Sequence, residues 1–203
     1  RMALPCWTMS DQFDVIVIGG GPGGYSAALY GASAGLNVAL VEMDALGGTC
    51  LNRGCIPAKA FLETAAVKRH VDHAAEFGIN SGGPATVDFA RTQARKQGIV
   101  DGLVGGIAAM CKGRNVEVFN GTGSLGPGRT VGVAMNDGSK AIITGTNVIL
   151  ATGSVPRTIP GFDRGGPIMT SDEVLDLDYV PSRVAVIGGG AIGCEFASTF
   201  ADL

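Results

Sequence analysis

Basic runs are missing from this sequence. Lys and Arg number 15 among 203 residues against 18 Asp and Glu, for a formal charge of -3 at pH 7 and a pI near 5.3. A chain with no basic patch has no means of attracting a polyanion, which excludes nucleic acid as an expected partner. Long apolar runs are missing too: none approaches the ~18 residues of a membrane-spanning helix, so a soluble, cytoplasmic chain is expected. Cysteine is sparse, with Cys6, Cys50, Cys55, Cys111 and Cys194 forming an odd set that holds one close pair. A secreted disulfide framework needs a denser, even set, and a reducing compartment fits better. The opening RMALPCWTMS is interrupted by Pro5 and carries too little apolar sequence for a signal peptide. Met9-Ser10-Asp11 reads as a natural start, so residues 1–8 are expected to be foreign and residues 1–12 to lie outside the fold, foreign or disordered.

Glycine, by contrast, is abundant: 33 residues, more than twice the about 7% of average usage. The glycines fall in clusters and not in a repeat, a pattern that suits backbone approaching a ligand at several points. The first cluster is GGGPGG at 19–24. It follows the apolar, β-branched run FDVIVI and precedes YSAALYGASAG, which reads as a helix; NVALVE then reads as a second strand ending in an acid. This is a β-α-β unit, and it implies an α/β fold with a parallel sheet. Residues 59–77 and 87–112 carry helical spacing, the second weakened by Gly98, Gly102, Gly105 and Gly106. From Val116 the period changes to two, and VEVFNG, TVGVAMNDGSKAIITG and NVILATG read as an antiparallel meander with a hairpin turn at Asn136-Asp137-Gly138. A Pro- and Gly-rich linker and a short helix at Ser171 to Leu175 follow. RVAVIGGGAIGCEFASTFADL then restarts the strand, glycine cluster and helix theme. The expected domains are 13–160, and 161–203 as a linker with the incomplete start of a second unit, the front part of a longer protein.

Gly19, Gly21 and Gly24 match G-x-G-x-x-G, with Gly23 beside them, and Glu42 ends the next strand where a ribose hydroxyl is expected. In that pattern the first glycine allows the tight turn, the second the approach of a pyrophosphate, and the third close helix packing. Gly188, Gly190 and Gly193, followed by Glu195, repeat the rule. Two fingerprints imply two dinucleotides and electron transfer between them. GGTCLNRGCIPAK at 47–59 adds Cys50 and Cys55. Positions five apart in a straight helix are separated by ~7.5 Å along the axis, whereas a disulfide needs Cα atoms about 5.5 Å apart. The two can therefore pair only across a distorted helix, and Pro57 supplies a reason for the distortion. A strained pair with Arg53 and Lys59 nearby is expected to have a lowered thiol pKa and to reduce easily. Two other readings stay open: inert buried thiols and half of a metal site, for which His70 and His73 on an amphipathic helix are poor partners.

GGTCLNRGCIPAK, VIGGGPGG at 17–24, ILATGSVPRTIPG at 149–161 and VIGGGAIGCE at 186–195 together resemble the flavin-dependent pyridine nucleotide-disulfide oxidoreductases, over nearly the whole chain from Phe13. The resemblance implies a Rossmann-like FAD-binding domain with an antiparallel β-meander, then the start of an NAD-binding domain. It implies FAD on Gly19 to Gly24 and Glu42, Cys55 as the thiolate beside the flavin, Cys50 as the interchange thiol and Lys59 near the flavin N5. Gly121 and Gly123 would flank the adenine, Thr152, Gly153 and Ser154 would line the FAD site, and Gly188 to Gly193 would hold the nicotinamide dinucleotide. Gly193, where NADP-linked relatives tend to have Ala, favours NAD. Arg53 and Ala58 depart from the commoner small apolar residue and Ser. Within the family the branch oxidising dihydrolipoamide, the lipoyl group of a 2-oxo acid dehydrogenase or glycine cleavage complex, is nearest. Glutathione, mycothione and mercuric reductase-like branches are the alternatives, with a non-catalytic flavin-binding or thiol-sensing module the rival outside enzymes. A homodimer is expected of the parent, and little activity of this piece alone. Cys111 reads as a buried helix thiol and Cys194 as a packing residue.

Overall fold

The computed structural model describes residues 8–157 and 159–203. In chain order its elements are β1 (Thr8–Ile18), α1 (Pro22–Ser33), β2 (Val38–Glu42), α2 (Gly48–Arg53), α3 (Cys55–Asp72), α4 (Phe89–Gly113), β3 (Glu117–Leu125), β4 (Thr130–Met135), β5 (Lys140–Leu150), α5 (Ser171–Leu175) and α6 (Ala191–Asp202). They group into two compact units. One takes the described residues up to Cys50 with Leu103–Ser154, the other Leu51–Gly102 with Val155–Leu203. The physical reason lies in α3, whose apolar face is buried with α6 in one core, so the first helices after the cysteine motif group with the C-terminal segment.

In the first unit β1 lies parallel to β2 and β5, β2 parallel to β3, and β3, β4 and β5 run antiparallel, so the pairings close into a ring. All five residues of β2 are buried, as a parallel strand covered on both faces requires. Phe13, Ile16, Ile18, Val41, Phe119, Val131, Val133 and Ile143 form the core, with Phe13 and Phe119 edge to face at 6.1 Å. The expected parallel sheet and meander are therefore present. Three details differ from the sequence reading. β1 begins at Thr8, since Thr8, Met9, Ser10 and Gln12 pair with Ala141 to Thr144 across an irregularity between Ser10 and Gln12. Apart from Met9 those strand residues are polar and show no local pattern; long-range pairing recruits them, while residues 1–7 lie outside the described residues. The two strands read at the end of the meander are one, β5. The glycines of α4 do not interrupt it.

In the second unit Ala58 and Phe61 of α3, Phe89 of α4, Leu175 of α5 and Phe196 of α6 share a core. Arg69 and Asp202 tie α3 to α6 by an ion pair of 2.9 Å. α5 has the predicted bounds and opens on a capping box, in which the Thr170 side chain accepts from the Asp172 N–H while Glu173 accepts from the Thr170 N–H and hydroxyl. From α4, the buried Lys96 ammonium donates to the Leu175 carbonyl at 2.9 Å, closing the other end of α5. Residues 183–187, read as a strand, form none: Val184, Val186 and Ile187 are exposed, and among the described residues nothing pairs with them.

Candidate functional site

The first glycine loop joins the end of β1 to α1. Gly19 has φ 106, and a Cβ there would lie 2.1 Å from the Ala151 carbonyl oxygen. A Cβ on Gly24 would lie 1.7 Å from the Gly19 carbonyl oxygen, so α1 sits directly on the turn. Gly21, the N-cap of α1, differs: its φ of -71 suits any residue, and the nearest protein atom to an added Cβ, the Gly48 Cα, is 3.7 Å away. A Cβ on Gly23 would meet nothing within 4 Å. Pro22 opens the helix, whose first turn carries no acid, so the positive end of its dipole is uncompensated by the helix's own side chains. Glu42, 8% exposed, turns back onto this loop. Its Oε2 accepts from the Gly20 N–H at 2.5 Å and its Oε1 from the Asp44 N–H at 2.8 Å.

Gly121 and Gly123 fall on β3. A Cβ on Gly121 would meet the Ala134 carbonyl oxygen at 2.4 Å, and one on Gly123 the Ile18 Cγ2 at 3.0 Å. Sheet packing therefore accounts for both glycines whatever else they do. Thr152, Gly153 and Ser154 follow β5 in an exposed irregular segment, Gly153 at φ 76. Sequence reading passed over Gly48, which belongs to the same loop system: at φ 55 it brings its Cα so near Gly21 that a Cβ would lie 2.6 Å from the Gly21 Cα. The neighbouring Gly47 N–H donates to the Gly20 carbonyl at 2.8 Å. The Gly47-Gly48 pair itself was the available signal.

Cys50 lies half-buried on α2, and Cys55, exposed, is the first residue of α3. A single distorted helix was expected across them. Two helices are found instead, separated at Gly54 with φ -147 and ψ -116. Pro57 then stands in the first turn of α3, where no intrahelical donor is required, and so starts a helix without bending one. Arg53 is exposed at the end of α2 and Ala58 is buried on α3. Lys59, on the first turns of α3, donates from Nζ to Glu195 Oε1 of α6 at 2.5 Å, a pairing that sequence spacing could not reveal.

The second fingerprint reproduces the backbone of the first. Gly188 has φ 112, a Cβ on Gly193 would lie 2.1 Å from the Gly188 carbonyl oxygen, and one on Gly190 would meet nothing within 4 Å. Gly190 is the N-cap of α6 with φ -75 and ψ 175, close to the -71 and -175 of Gly21. Cys194 beside it is exposed, its Sγ 3.5 Å from the Gly189 carbonyl, and so does not pack as expected: helical phase turns it outward. Cys111 is buried on α4, and burial pushes its thiol pKa up, which keeps it inert. His70 and His73 are exposed, and among the described residues no three His, Cys, Asp or Glu side chains cluster as metal ligands. Nor is any described helix long and apolar enough to cross a membrane.

Comparison with known proteins matches residues 13–203 to the family described as pyridine nucleotide-disulphide oxidoreductase. A dihydrolipoyl dehydrogenase of Chlamydia pneumoniae is 45% identical over 195 residues, which are 96% of this chain and 42% of that protein. The dihydrolipoyl dehydrogenase of Bacillus subtilis is 40% identical over 203 residues, covering 96% of this chain and 43% of the relative. Among solved structures, LpdA of Mycobacterium tuberculosis superposes with a TM-score of 0.84 at 28% identity, over 93% of this chain and 42% of its own. The HOCl-induced flavoprotein disulfide reductase RclA of Escherichia coli, as its Cu(II) complex, gives 0.78 at 29% identity, over 95% and 41%. The chain thus spans less than half the length of each of these four proteins. With two glycine turns of one geometry, a cysteine pair on the helices after the first β-α-β unit, and a family match from Phe13 onward, the chain belongs to the pyridine nucleotide-disulphide oxidoreductases.

Proposed function

We propose that this chain supplies the FAD-binding fold, the redox cysteine pair and the opening of the NAD-binding fold of a dihydrolipoyl dehydrogenase. The intact protein, proposed to be a homodimer, would oxidise dihydrolipoamide on a 2-oxo acid dehydrogenase or glycine cleavage complex and reduce NAD. The observation that carries this reading is the 45% identity to a protein of that name across 96% of the chain.

The glycines supply the test of cofactor fit. Gly21 and Gly190 adopt φ values open to any residue, and an added Cβ would clash with no protein atom at either. Their missing side chains leave room for a group from outside the protein, as a pyrophosphate on the backbone requires. Gly19, Gly21, Gly23 and Gly24 are assigned to the FAD pyrophosphate, and Gly188, Gly190 and Gly193 to that of NAD. Glu42 keeps acceptor capacity beyond the two N–H groups it holds, since a carboxylate offers about four lone-pair sites, and takes the FAD ribose. Gly121, Gly123, Thr152, Gly153 and Ser154 border the same cofactor.

When bound, FAD supplies two-electron transfer between the cysteine pair and NAD. Cys50 exchanges with a sulfur of dihydrolipoamide. As the substrate dithiol closes to a disulfide, the Cys50–Cys55 disulfide opens to two thiols, which take up the two electrons and two protons released. Lys59 holds positive charge by the flavin and is itself held by Glu195. In a protein carrying this chain, dihydrolipoamide-dependent NAD reduction is expected, and Cys50→Ser or Cys55→Ser should each lower it by at least about a hundredfold. Undiminished turnover in either variant, or turnover of glutathione disulfide or mercuric ion in place of dihydrolipoamide, would overturn the reading.

A further inference from the structure

Glu42 is held by two backbone N–H groups, one on each carboxylate oxygen: Gly20 on Oε2 at 2.5 Å and Asp44 on Oε1 at 2.8 Å. The second donor belongs to the peptide unit between Met43 and Asp44. Because that unit is planar and rigid, whatever fixes its carbonyl end also aims its N–H end. The Met43 carbonyl accepts from the side-chain Nδ2 of Asn136 at 3.1 Å. Asn136 sits in the turn between β4 and β5, and its own N–H donates to the Asn120 carbonyl at 2.9 Å. Asn120 is the β3 residue in register with Glu42. The meander turn is therefore tied back to the end of β2 twice, through β3 and through the Asn136 amide.

The turn does not need that amide for its own closure. It is closed by Met135 N–H to the Ser139 carbonyl and Gly138 N–H to the Met135 carbonyl, both 3.0 Å, by the Asp137 carboxylate accepting from Ser139, and by Gly138 at φ 87. We propose that Asn136 is a positioning residue for Glu42: through the Met43–Asp44 peptide it orients the carboxylate toward the adenosine ribose of the bound dinucleotide. The inference rests on the reading of Glu42 as the ribose carboxylate.

The test is titration of the FAD-free intact protein that carries this chain with FAD, followed by flavin fluorescence, for the wild type, Asn136→Ala, Glu42→Gln and the double variant. Loss of one hydrogen bond acting through the peptide should weaken FAD binding by about three- to tenfold in Asn136→Ala. In the Glu42→Gln background the same substitution should cost less than about twofold. Asn136→Asp, which keeps a turn-forming side chain without the donor, should reproduce the loss. Ser139→Ala, which loosens the turn without touching Met43, should leave FAD affinity unchanged. A silent Asn136→Ala, a full effect persisting in the Glu42→Gln background, or an equal loss in Ser139→Ala overturns the positioning role alone. A silent Glu42→Gln, or no saturable FAD binding by the wild-type protein, overturns the ribose reading and the inference with it.

Discussion

Gly21 and Gly24 share one loop and are glycines for different reasons. A methyl on Gly24 would fall 1.7 Å from the Gly19 carbonyl oxygen, and only a shift of α1 relieves that. Gly24→Ala should therefore cost about 3 kcal/mol of stability, the upper range for overpacking, read as a lowered denaturation midpoint. At Gly21 the backbone accepts alanine and the space is open. Gly21→Ala should cost no more than about 1 kcal/mol, the loss of a tolerated N-cap glycine, yet weaken FAD binding more than about tenfold by occupying the approach to the backbone. Equal stability losses in the two variants, with binding spared in Gly21→Ala, would contradict the division. The spacing of the glycines was legible in the sequence because a turn, an approach and a helix contact recur at fixed offsets. Which of them the protein itself demands was not, since that depends on the carbonyls of Gly19 and Ala151 folding onto them. The Lys59–Glu195 ion pair was hidden for the same reason: its partners meet only when α6 packs on α3.

Elements were legible where local pattern and tertiary role agree. The uninterrupted apolar run of β2, the alternation of β4 and the hairpin turn before β5 all read through. Residues 183–187 have the same apolar, β-branched character but no neighbour to pair with among the described residues, and strand is a property of pairs. Conversely, α5 is only five residues long, and what holds so short a helix is its capping box. That cap gives a pH prediction. Hydrogen bonds from the Thr170 hydroxyl, and then from its N–H and Arg164, hold Glu173 down to a pKa of about 2 from 4.5. The folded value lies below the unfolded one, so the contribution is fully present above pH 4.5 and is lost as pH falls through about 2. The melting temperature of the wild type should exceed that of Glu173→Ala at pH 6, and the gap should close between pH 4.5 and 2. A gap independent of pH would assign the effect to packing and not to the carboxylate. Thr170→Ala should cost about 1 kcal/mol at neutral pH, as other N-cap losses do.

For the whole molecule, residues that sequence pattern places outside the fold lengthen the β1–β5 pairing that closes the strand ring, a pairing Phe13 to Ile18 already make with Gly145 to Leu150. Thr8 to Gln12 pair with Ala141 to Thr144, and β5 is thereby covered on both sides along a stretch where β4 alone would leave an edge. An edge strand exposes a row of backbone groups and invites pairing with another chain. Two truncations separate this contribution from that of the residues before it. Deleting residues 1–7 removes none of the described pairings and should leave stability within about 0.5 kcal/mol. Deleting residues 1–12 removes the pairing and should cost about 2 kcal/mol, taking net backbone hydrogen bonds at about 0.5–1 kcal/mol each. Loss of that edge should speed amide hydrogen exchange at Ala141 and Ile143 relative to Val17 and Leu40, which stay deep in the parallel sheet. If the longer deletion is as stable as the shorter and exchange at β5 is unchanged, the strand at Thr8 contributes nothing and the fold starts at Phe13. If exchange rises at β5 alone, the N-terminal residues are part of the sheet that carries Gly19 and Glu42, and shortening the chain there loosens the meander without unfolding the site.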